Sequence, residues 1–126
     1  MRRNRLIFNR NLLLPLLLIS PVNFADWGDV YYCQMTSLVD TFIDGTVTQY
    51  KLQKFQFKLD EEKKSMVFGQ SGYFTNSVKP LKNAFPNQEF WWAGDRFSTL
   101  KYQEGKFLYA AIGNDVTSIS ANCDKF

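Results

Sequence analysis

GDVYYCQM, residues 28–35, holds the first of only two cysteines; the second lies in SANCDKF, residues 120–126. Around Cys33 the chain alternates, and Tyr31, Cys33, Met35 and Val39 share one face of a strand read over Val30 to Val39. Around Cys123 it alternates again, with Ile119, Ala121 and Cys123 together in a strand over Val116 to Cys123. Both cysteines therefore sit on the apolar face of their strands. They can meet only if the first and last strands are neighbours or face each other across the core. One intramolecular pairing is possible, Cys33 with Cys123; the alternative is two buried free thiols. Closing so long a loop stabilises a fold by about 4–5 kcal/mol in the chain-entropy account.

Between these ends, period-2 alternation dominates. In Tyr50 to Leu59, Phe55, Phe57 and Leu59 alternate with Lys54, Gln56 and Lys58. Asp60 to Lys64 reads as a charged turn, Ser65 to Gly69 as a strand, Gly69 to Gly72 as a bend and Tyr73 to Thr75 as a further short strand. Residues 77–88, with Pro80 and Pro86, read as the longest loop. Then comes a meander: a strand over Glu89 to Ala93, a two-residue Gly94-Asp95 turn with glycine first, Arg96 to Tyr102, a turn over Gln103 to Gly105, Lys106 to Ile112, and a turn over Gly113 to Asp115. Few segments read as helix. The expected fold is all-β, a small antiparallel meander barrel of seven or eight strands closed by one disulfide, with a β-sandwich as the alternative.

The N-terminus, MRRNRLIFNRNLLLPLLLISPVNFA, has Arg2, Arg3, Arg5 and Arg10 ahead of an apolar block from Leu12 to Ile19. That block is short of the roughly 20 residues a membrane span needs. It reads as a secretory signal peptide, residues 1–25, cut after Ala25. The remainder, 26–126, is expected to be a single all-β domain, periplasmic or secreted, with no stable membrane span after cleavage. The chain has 15 Lys+Arg against 12 Asp+Glu; losing the leader's four arginines leaves 11 against 12, a net charge of −1. That balance lacks the basic footprint of nucleic-acid binding. Export also permits the disulfide.

Chemistry is narrowed further by what is missing. The sequence has no histidine, which removes Ser-His-Asp and Cys-His arrangements and the commonest metal ligand. There is no dinucleotide or phosphate-loop motif. Asp60, Glu61 and Glu62 run directly into Lys63 and Lys64 and read as a solvated turn rather than a calcium loop. No catalytic residues, metal or cofactor are expected, and the chain reads as a binding or structural protein rather than an enzyme.

Two stretches suggest recognition. In EFWWAGDRFSTL, residues 89–100, Trp91 and Trp92 are adjacent on a strand, so one points inward and the other outward unless the Pro80–Pro86 loop covers it. An outward Trp is a strong anchor at interfaces, and Arg96 follows closely. In GQSGYFTN, residues 69–76, the Ser71-Gly72 turn can present Ser71 and Tyr73 to a partner. Ser71, Tyr73, Trp91, Trp92 and Arg96 are thus the candidate binding residues, for a protein in the envelope or outside the cell.

Taken together, Tyr32-Cys33, Ser71-Gly72-Tyr73-Phe74, Phe90-Trp91-Trp92-Ala93-Gly94 and Asn122-Cys123 resemble the layout of the small exported inhibitors of C-type lysozyme. The resemblance implies an eight-stranded antiparallel barrel with a disulfide. It also implies a lysozyme-type hydrolase as partner, blocked by a loop serine and a lysine set against its two catalytic acids. The serine maps to Ser71. The lysine position holds Ala93, which carries no charge, leaving Arg96 or Lys101 to supply one. Two other functions compete: a lipocalin-like carrier of a small apolar ligand, which needs a hollow interior, and an envelope structural protein.

Overall fold

Alternating phenylalanines build the first wall of the core. Phe55, Phe57 and Leu59 all point inward from one strand and are almost wholly buried, while Lys54 and Lys58 face solvent. The computed structural model describes residues 26–85 and 89–126, with side chains left undescribed at 83–85; the leader read over 1–25 and the 86–88 stretch with Pro86 lie outside the described residues. Among the described residues nine strands follow in chain order: β1 Val30–Phe42, β2 Val47–Gln49, β3 Lys54–Asp60, β4 Ser65–Phe68, β5 Val78–Phe85, β6 Phe90–Gly94, β7 Ser98–Gln103, β8 Lys106–Ile112 and β9 Asp115–Lys125. No helix among the described residues is long and apolar enough to cross a membrane.

Each strand from β3 to β9 pairs antiparallel with the next, β1 pairs with β3, and β9 returns to pair with β1 along eleven register positions. Eight strands thus close into a barrel, and β2 extends the sheet on β1. Closure removes the free edges that an open sheet of this length exposes.

Cys33 and Cys123 are direct cross-strand partners at this seam and form a disulfide, with Cα atoms 4.0 Å apart. The Cys123 amide donates to the Gly105 carbonyl on the β8 side. Towards β1 the pair is therefore a non-hydrogen-bonded one, the class in which opposed side chains come closest.

The interior is filled by rings. Trp91 stacks on Tyr102 at 4.3 Å between centroids, and Tyr31 stacks on Phe57 at 4.8 Å. Phe74 sits edge-on to Phe55 and Tyr109. The Trp91 indole nitrogen donates to the Met66 sulfur at 3.3 Å. Such offset and edge contacts add to the area term of burial.

Several local expectations are corrected. Residues 78–85 are strand β5, not loop: Pro80 fits because the ladder with β6 begins only at Leu81, so its missing N–H removes no bond on that side. Tyr73 to Thr75 is a turn, not a strand. The β6–β7 connection is Asp95 to Phe97, longer than a two-residue turn, with Gly94 still in the strand. A Cβ on Gly94 would lie 2.5 Å from the Ser98 carbonyl oxygen, so glycine serves close approach there. Finally, Leu38 rather than Val39 points into the core, because an irregularity between Met35 and Ser37 adds a residue to β1 and flips the alternation. β3 begins at Lys54, four residues later than the alternation suggested.

Candidate functional site

The meander sends every second connection to the same end. Segments 43–46, 69–77, 95–97 and 113–114 gather at one rim, while 61–64 and 104–105 lie at the other with both ends of the described chain. The second rim is closed by polar contacts. The Tyr31 hydroxyl donates to Glu89 at 2.8 Å and Tyr102 to the same carboxylate at 3.3 Å, while the Gly105 amide donates to the Tyr102 oxygen. Burial, reinforced by Glu89, pushes both phenols well above the ordinary tyrosine range.

The first rim differs. Ile43 is almost fully exposed at 99%, and Phe97 and Ile112 are exposed at 68% and 67%. The Ile112 amide donates to the Phe97 carbonyl at 3.1 Å, which places those two segments side by side. Val116 pairs with Ile112 on one side and with Thr41 on the other, and Val47 pairs with Thr41, so an exposed row with Thr41 between its two valines continues around the rim through β9, β1 and β2.

Polar groups hold the rim's shape. Asp95 accepts from the Phe97 and Ser98 amides at 3.0 Å each and from the Ser98 hydroxyl at 2.9 Å. Its other oxygen takes the Lys79 ammonium at 2.8 Å. Lys79, nearby bonds and charge together hold the Asp95 carboxyl well below the usual range. At the mouth, Thr117 donates to Asp40 at 2.6 Å and lowers that carboxyl, with Asp115 and Tyr50 acting the same way. Asp115 is pushed up by its hydrogen bond with Asp40, then by desolvation, so the two carboxyls shift in opposite directions. Among the described residues no three His, Cys, Asp or Glu side chains converge as a metal-holding set.

Three candidate residues reach this rim. Ser71 is exposed in the 69–77 segment, and Tyr73, 41% exposed, turns back to Tyr109 with ring centroids 6.3 Å apart. Gly72 lets that segment lie against β3: its φ is +93°, and a Cβ there would collide with the Lys54 carbonyl oxygen. Arg96 is exposed on the 95–97 segment, its guanidinium 5.8 Å from the Phe97 ring centre. The other two lie elsewhere. Trp91 is wholly buried in the core, and Trp92 stands on the outer wall with the Lys101 ammonium 5.3 Å from its ring centre. Ala93, too, is buried and points inward.

Sequence reading missed Ile43, Phe97, Ile112 and the Asp40–Thr117–Asp115 cluster. Apolar residues beside turn residues, as in TFIDG (41–45) and AIGND (111–115), were the available signal, but only topology shows that they share a rim. Compared with protein-family models, curated proteins and solved structures, the chain matches none.

Proposed function

We propose that this protein is an exported binding module whose 43–46, 69–77, 95–97 and 113–114 segments grip another macromolecule. The observation that carries the reading is the apolar band of Ile43, Phe97 and Ile112, contributed by two separate connections and the end of β8, with Arg96 beside Phe97 and Tyr73 on the same rim. Exposed apolar surface gathered this way marks interaction sites. The ring-packed interior supports a partner held outside the barrel over a small ligand carried within it. The disulfide is compatible with a periplasmic or secreted location.

The sharper form of the proposal is inhibition of a lysozyme-type hydrolase. Ser71 on the exposed rim supports it. Buried Ala93 supplies no cation and Lys79 is already paired with Asp95, so Arg96 is the basic side chain offered to the acids of such a cleft.

Capture from envelope extract tests the general reading. One protein should be retained by the wild type and lost with Phe97→Ser/Ile112→Ser, yet kept with Trp92→Ala; equal retention by the rim variant would overturn it. A lytic assay tests the sharper one. Protection from lysis at micromolar protein, abolished by Ser71→Glu, is expected; unaltered lysis by C-type, G-type and I-type lysozymes would exclude inhibition.

A further inference from the structure

The outer wall of β6–β9 lies away from the rim and carries a different chemistry. Cross-strand register sets Trp92, Lys101 and Leu108 in one outward row, and Gln103, Lys106 and Asn122 in the next. A depression of about 310 Å³ opens along the second row and a smaller one of about 90 Å³ beside Trp92; among the described residues no Asp or Glu lines either. Trp92 is 38% and Leu108 57% exposed.

Among the described residues neither Lys101 nor Lys106 has an acidic partner. The Lys101 ammonium rests on aromatic rings, 5.7 Å from the centre of Phe90 and 5.3 Å from that of Trp92. Lys106 donates to the side-chain oxygen of the exposed Asn122 at 2.9 Å, which occupies that amide's acceptor rather than its donors. The surface thus combines an outward indole, two carboxamides, an apolar seat and two ammonium groups on a shallow wall.

We propose that this wall binds an acidic polysaccharide. The apolar face of a sugar ring suits Trp92 and Leu108, sugar hydroxyls suit the donor and acceptor amides, and carboxylates along the chain suit Lys101 and Lys106. From β6 to β9 the wall spans about 14 Å at the usual strand spacing, and its depressions are open, which fits an extended chain rather than a single small molecule. Two lysines fall short of the charge density with which proteins hold a nucleic-acid backbone.

Affinity electrophoresis in gels containing polygalacturonate tests this, with neutral dextran and single-stranded DNA as parallel arms. The wild type should be retarded by polygalacturonate, less so at higher salt, and not by dextran. Lys101→Gln/Lys106→Gln and Trp92→Ala should each weaken retardation at least tenfold, whereas Lys51→Gln/Lys63→Gln, with the same loss of charge elsewhere, should leave it unchanged. Absence of retardation, equal losses in the two lysine pairs, full retention by Trp92→Ala, or DNA bound as well as polygalacturonate would each overturn the proposal. Rim variants such as Phe97→Ser should be unaffected, which separates this wall from the rim.

Discussion

Two tyrosine hydroxyls converge on Glu89, and that single carboxylate lets Tyr31 and Tyr102 stay buried at both ends of their rings. Removing one hydroxyl leaves Glu89 short of a donor in a partly buried place. Tyr31→Phe should therefore destabilise by about 1–2 kcal/mol in chemical denaturation. Both phenols are raised in the folded state, so the stability they contribute is complete below the unfolded tyrosine value of about 10 and is lost as pH climbs above it. Phenolate absorbance should show these two tyrosines ionising only as the protein unfolds. Asp95 acts in the opposite direction. Lys79 and the Phe97 and Ser98 donors depress its carboxyl, so its contribution is complete above the unfolded value of about 4 and fades as pH falls below that. Asp95→Asn should cost about 1 kcal/mol at neutral pH, a figure kept small because the carboxylate is 40% exposed. It should also flatten the acid limb of a stability profile.

At the scale of the strand, glycine decides two close approaches. Gly94→Ala drives a methyl into the Ser98 carbonyl, and Gly72→Ala combines a clash against Lys54 with a left-handed φ. Each should cost about 1–3 kcal/mol by thermal or chemical unfolding. Gly72→Ala should also weaken any activity that depends on Ser71, since the 69–77 segment can no longer sit against β3. Strand scale also explains what was legible beforehand. β8, and the inward face of β9 through Ile119, Ala121 and Cys123, follow directly from alternation with turn residues on either side. β5 was hidden because Pro80 and a register irregularity between Leu81 and Asn83 mask its period. Val39 was placed inward because one extra residue after Met35 is silent in the sequence and reverses every side chain beyond it. The rim was illegible for another reason: its apolar residues come from positions as far apart in the chain as Ile43 and Ile112, and nothing local links them.

On the scale of the whole molecule, the β1–β9 seam turns a meander into a barrel. The Cys33–Cys123 bond spans 90 residues, and its reduction should remove about 4–5 kcal/mol and lower Tm by roughly 15–30 °C. An unchanged Tm would show that the bond adds nothing to the closed sheet. The disulfide alone does not distinguish a barrel from two sheets tied across a core, but the hydrogen-bonded seam does. The most direct measurement is therefore a set of backbone NOEs between β1 and β9 in the oxidised protein. The barrel predicts cross-strand contacts at Cys33–Cys123 and on both sides of it, including Tyr31–Lys125, Leu38–Ile119 and Asp40–Thr117. Contacts confined to the cysteines, with none along the rest of the two strands, would contradict closure and leave a stapled sandwich in its place.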